Sequence, residues 1–174
     1  SVLSAAQASA ISSQGFTLSF EARVLQGPVL GAAGLFSVDV TVAGFNGRRY
    51  DVNLGSDGSG NTTVVLPTLT NFNGNQFTGT GQGAPLVVSG TGYHLYQLSY
   101  DPAANAATLY IDGVERSQGY GGSTVSGGAT ANNYGLAFGS ANDAIGNFAQ
   151  ISLAIGQIQV VPEPTSSAMM LAGL

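Results

Sequence analysis

Glycoside hydrolysis with retention needs two carboxyl groups about 5 to 5.5 Å apart, so the three glutamates, Glu21, Glu115 and Glu163, are the first residues to test. No Glu-x-Asp occurs, and Asp112 and Glu115 straddle a predicted turn instead of sharing one face of a strand. The spacing sets no acid beside a nucleophile, and the expectation is that the chain is not an enzyme. His94 is the single histidine. General-base work would require a nucleophile and an orienting carboxylate gathered around it, and its place at the start of a predicted strand reads as structural. With no cysteine there is no disulfide, thiolate nucleophile or thiolate metal site, and one histidine leaves no multi-histidine cluster.

Two binding chemistries remain. Calcium prefers carboxylate, amide and carbonyl oxygens, and Asp57, Ser59 and Asn61 place oxygen side chains at alternate positions of a Gly-rich loop. That loop lacks a closing Glu and a second Asp, so it reads as a hairpin turn, with calcium as the rival reading and no cofactor expected. Asn61-Thr62-Thr63 matches a glycosylation acceptor by letters alone. Glycan sites commonly present flat aromatic faces. There is no Trp, and the 7 Tyr and 8 Phe fall mostly on predicted core faces, leaving Tyr120 and Tyr134, beside Gly-rich loops, as the exposed candidates. Packing is their rival role.

The elements that would position these groups follow from composition and pattern. At 174 residues the chain is one domain's worth, and 44% hydrophobic content argues against disorder. Lys and Arg number 4, Asp and Glu 9, and charged residues make up 7%, against about 25% in ordinary soluble domains. With a net charge of -5 and no Lys, the chain cannot neutralise a phosphate backbone, which excludes nucleic acid as a partner. The 26 Gly with abundant Ser, Thr, Asn and Ala suit an extracellular bacterial surface.

Phe16, Leu18, Phe20, Ala22 and Val24 alternate with polar residues, as do Phe36, Val38, Val40 and Val42, and Tyr50, Val52 and Leu54; this is the period of strands with one buried face. Further strands are expected at 62–66, 86–89, 93–100, 107–112, 134–138 and 149–161, with no helical periodicity and no helix longer than two turns. At Asn46-Gly47 a two-residue loop would set core faces against solvent faces. A three-residue loop, Phe45-Asn46-Gly47, pairs Val42 with Tyr50, Val40 with Val52 and Val38 with Leu54, with Gly47 left-handed in a bulge. A second bulge is expected at Gly156-Gln157. Nine or ten strands without helix imply an all-β, antiparallel two-sheet sandwich over 16–161.

The stretch from His94 through Tyr100-Asp101 to Leu109-Tyr110-Ile111-Asp112-Gly113 resembles the laminin-G and concanavalin-A-like family, closely over 94–119 and loosely over 16–161. The resemblance implies a jelly roll, and these motifs are structural in that family. Residues 162–174, with Pro162, Glu163 and Pro164 followed by Thr165-Ser166-Ser167 and an apolar run, resemble the PEP-CTERM sorting signal of Gram-negative bacteria that make extracellular polysaccharide. That resemblance implies secretion, an exosortase partner during export, and transient membrane contact through an apolar span with basic residues beyond Leu174, since the seven apolar residues here fall short of the roughly 20 a span needs. Residues 1–15 read as an N-terminal arm. For residues 1–10 two readings stay open, a signal-peptide remnant cut after Ala8-Ser9-Ala10 or an Ala/Ser-rich arm of the mature chain.

The expected function is a secreted, non-enzymatic structural or adhesive protein of the cell surface or extracellular matrix that self-assembles into a filament or layer, with extracellular polysaccharide as a further partner. The alternative is a glycan-binding, lectin-like module. Self-assembly is expected because sandwiches keep sheet edges, soluble proteins guard them with charges, and this chain has few. The arm before Phe16 and the segment after Pro164 are the expected joining elements.

Overall fold

The computed structural model describes residues 2–26, 36–42, 48–73, 76–78, 82–126, 135–140 and 145–156. They form a two-sheet jelly-roll sandwich with one helix, α1 (Ala5–Gln14), packed beside it. The strands are β1 (Phe16–Gln26), β2 (Phe36–Thr41), β3 (Arg48–Ser56), β4 (Thr62–Val65), β5 (Leu69–Asn73), β6 (Gln76–Thr78), β7 (Leu86–Val88), β8 (His94–Asp101), β9 (Ala106–Ile111), β10 (Val114–Tyr120), β11 (Ser123–Ser126), β12 (Gly135–Ser140) and β13 (Ile145–Ile155).

One sheet has five strands in the order β10-β9-β8-β1-β13; the other has eight, in the order β12-β2-β3-β11-β5-β6, with β4 and β7 branching from β3. Pairing is antiparallel apart from β11 with β5, which runs parallel. The far edge of β3 is shared, its first residues pairing with β11 and its last with β4. Strands β5, β6, β10 and β11 escaped the sequence reading, because Val114–Tyr120 (VERSQGY) lacks alternation and the others are short.

The alternating apolar residues do face inward. Phe16, Leu18 and Phe20 meet Tyr96, Leu98, Tyr100, Leu109 and Ile111 from their own sheet and Val38, Val40, Tyr50, Val52 and Leu54 from the other, all buried. Tyr50 crosses between the sheets, with its ring 4.8 Å from Tyr100, 5.6 Å from Tyr120 and 5.9 Å from Phe16.

Two expectations need correction. The β2–β3 ladder pairs Val40 with Tyr50, Val38 with Val52 and Phe36 with Leu54, not Val40 with Val52. A shift of two residues keeps every side chain on its own face, so face alternation cannot detect it. Gly47 lies outside the described residues, as does Gln157 of the expected second bulge; β13 ends at Ile155, and the bulges between β1 and β13 fall at Ala149 and Leu25.

The second correction concerns the expectation of no helix longer than two turns, which α1, within the N-terminal arm, exceeds. Ser4 caps α1, accepting from Gln7 N while its own N–H donates to Gln7 Oε1, a reciprocal capping box. The helix is almost three turns long and buries Ala8 and Ile11, too few apolar positions to show a helical period. Gly15 ends it with φ +83°, donating to Ile11 O, and its own carbonyl accepts from Gly156 N. A Cβ on Gly15 would run into the Tyr100 carbonyl oxygen, so close approach as well as φ demands glycine there.

Candidate functional site

His94 opens β8, and its Nδ1 lies 2.7 Å from Asp112 Oδ2. Asp112 Oδ1 accepts from Leu95 N, and Asp112 N donates to Leu95 O. Asp112 and Gly113, with φ 51° and 76°, make a two-residue turn between β9 and β10. The histidine and aspartate thus tie a turn to the start of a neighbouring strand.

Asp57, Ser59 and Asn61 lie in the β3–β4 turn. The Asp57 carboxylate accepts from Ser59 N, Asn61 N and Asn61 Nδ2, and these bonds, that to the Asn61 side chain foremost, hold its carboxyl below the usual range. Asn61 Oδ1 accepts from Gly90 N. The oxygens are engaged in closing the turn and bridging to the next loop.

Tyr120 is not an exposed ring. It is fully buried; its hydroxyl donates to Pro67 O at 2.8 Å and accepts from Asp51 N at 3.3 Å. Burial first of all pushes its phenol far above the ordinary value. The Gly-rich stretch beside it suggested a loop, but Tyr120 ends β10 and faces inward. Tyr134, Pro162, Glu163 and Pro164 lie outside the described residues. Tyr93 is an exposed aromatic that the sequence reading passed over, and the Arg23 guanidinium sits 4.9 Å above its ring.

The corrected register reveals a polar cluster on the outer face of the eight-stranded sheet. Asp39 on β2 stands directly opposite Asp51 on β3, Ser37 opposite Asn53, and Thr41 opposite Arg49. Arg49 Nε and Ser123 Oγ each donate to Asp51 Oδ2 at 2.8 Å, and Thr41 Oγ1 donates to Asp39 Oδ1 at 3.5 Å. Asp51 and Asn53 are each 1% exposed, yet Asp51 Oδ1 and Asn53 Oδ1 have no hydrogen-bond partner. Burial pushes the Asp51 carboxyl up to about 7 against the pull of Arg49, with Asp39 adding to the rise; burial also raises Asp39, which Arg49 and Thr41 counter. This pair of carboxylates was missed because the expected register set Asp39 against Asn53.

The sheet edges differ in their protection. β10 is broken by two register shifts and carries Glu115 and Arg116. Gln82 Nε2 donates to Gln118 O, and an Arg116 guanidinium nitrogen to Val87 O, so the segment at 82–88 lies against that edge. On the other side, β12 and β13 end their sheets and neither contains a charged residue. Phe138 is 55% exposed and Ile155 44%, and Phe138 meets Phe148 edge-on at 5.6 Å across the two sheets. Phe148, Ile151 and Leu153 are only partly buried.

No family model and no curated protein matches the chain. Among solved structures, the binding domain of botulinum neurotoxin DC, solved in complex with rat synaptotagmin II, matches 83% of this chain and 33% of its own at 12% identity and a TM-score of 0.45. The family 7 alginate lyase A1-II' matches 83% and 62% at 13% identity and 0.44. A Bacillus licheniformis β-glucanase matches 80% and 53% at 13% identity and 0.34. The chain thus spans about a third of the neurotoxin domain's length, and likeness at this level concerns fold.

Proposed function

We propose that the protein is a non-enzymatic structural component of the bacterial cell surface or extracellular matrix that joins copies of itself through the β12/β13 side of the sandwich. The observation that carries this reading is the asymmetry of the edges: charged, bulged and covered at β10, uncharged and partly apolar at β12 and β13. Charge, bulges and covering segments are the devices that prevent edge-to-edge pairing; β10 has all three, whereas among the described residues β12 and β13 have no charge, a bulge at Ala149 and a single bridge from Val2 to Gly135. The likeness of residues 162–174 to a sorting signal supports an extracellular address with an exosortase as export partner. The joining element is a strand edge, in place of the arm before Phe16, because α1 is committed to its own sandwich.

The alternative, a glycan-binding module, no longer has Tyr120 as a platform, and the exposed Tyr93 has Arg23 over one face of its ring. Sedimentation velocity tests the assembly reading. The wild-type chain should form species that grow with concentration, and Phe138→Asp and Ala154→Lys, both at exposed positions, should each return it to monomer with an unchanged far-UV spectrum. A wild-type chain that stays monomeric at high concentration, or variants that assemble as it does, would refute it.

A further inference from the structure

We propose that Ser37, Asp39, Asp51 and Asn53 form a binding site for a divalent hard cation, calcium by size and donor type, on the outer face of the eight-stranded sheet. These residues occupy a square of four positions, two facing pairs on adjacent strands. Facing residues stand about 5 Å apart and alternate residues along a strand about 7 Å, so an ion at the centre is within reach of four short side chains at the roughly 2.4 Å of a calcium–oxygen bond. All four offer oxygen.

The decisive feature is the unmet bonding of two buried atoms. Asn53 is 1% exposed and its Oδ1 accepts nothing; Asp51 Oδ1, on the same face, accepts nothing. Buried acceptors are costly unless paired, and two adjacent acceptors with a facing carboxylate call for a positive occupant. Arg49 fills that role only in part, although its charge acts on both Asp39 and Asp51. Its Nε engages Asp51 Oδ2, and it stands opposite Thr41, at the end of the square away from Asn53 and Ser37. Among the described residues two carboxylates stand against this one guanidinium, which makes the site net negative when both are ionised.

Room comes from β12, where the residues facing Asp39 and Ser37 are Ala137 and Gly139. A Cβ on Gly139 would meet nothing within 4 Å. Water would complete the coordination on that open side, as calcium with six to eight ligands tolerates.

The test is a calcium titration of the full chain, freed of metal by chelator, followed by thermal unfolding and calorimetry at pH 8. Millimolar calcium should raise Tm by several degrees. Asp39→Asn should abolish the response, and Asp57→Asn, in the β3–β4 turn, should leave it intact. Should Asp39→Asn fail to fold, Asn53→Asp, which adds a carboxylate, should tighten calcium several-fold. No calcium response at pH 8 would overturn the proposal, as would a response lost in Asp57→Asn but kept in Asp39→Asn, or an Asn53→Asp chain of unchanged affinity.

Discussion

At the scale of single residues, the tyrosines divide the chemistry from the packing. Tyr120 looks like a surface ring in the sequence because glycines flank it, yet its hydroxyl ties Pro67 O to Asp51 N deep in the sandwich. Tyr120→Phe should cost about 1 to 2 kcal/mol in urea unfolding, since it strands a buried acceptor and donor; a neutral substitution would show the hydroxyl to be irrelevant. Asp51 sets a pH dependence of definite sign. Its folded-state pKa, about 7, lies above the ordinary carboxylate value, so the folded chain binds more protons than the unfolded one between about pH 4 and pH 7. Stability should therefore fall as pH rises through that window in chelator and level off above it, and Asp51→Asn should flatten the slope. Urea midpoints that rise with pH over the same range would contradict this.

At the scale of elements, strand identity was legible wherever one face is apolar and the other polar. The faces of β1, β2 and β3 agree with the alternation read along those segments, from Phe16, Val38 and Tyr50 onward. Register was not legible, because a two-residue slip between β2 and β3 preserves both faces. Only the length of the connecting loop distinguishes the alternatives, and Asn46-Gly47 suggested a shorter one. That slip hid the Asp39–Asp51 pair, so the error in the element became an error about the site. The helix was hidden for a different reason. Ala, Ser and Gln carry little hydrophobic contrast, and α1 is held by its cap and by Ile11, which is fully buried. Ile11→Ala should destabilise by about 2 to 4 kcal/mol, and removing residues 1–14 should impair folding instead of freeing a dispensable arm. Thermal unfolding decides: a deletion chain with wild-type Tm would mean that α1 contributes nothing.

At the scale of the whole molecule, low charge has two consequences that composition alone could not separate. On one side the edge at β10 carries two of those charges, Glu115 and Arg116, with 82–88 laid against it. On the other, β12 and β13 meet solvent with Phe138 and Ile155 exposed and no charge in either strand. Composition indicates that copies repel weakly; the proposed assembly puts their contact at the β12/β13 side. Amide hydrogen exchange of the intact chain at low and high concentration tests that claim most directly. Assembly through the open side should slow exchange of β12 and β13 amides as concentration rises and leave β10 unchanged. Equal exchange at both concentrations, or protection gained at β10 in place of β13, would contradict it.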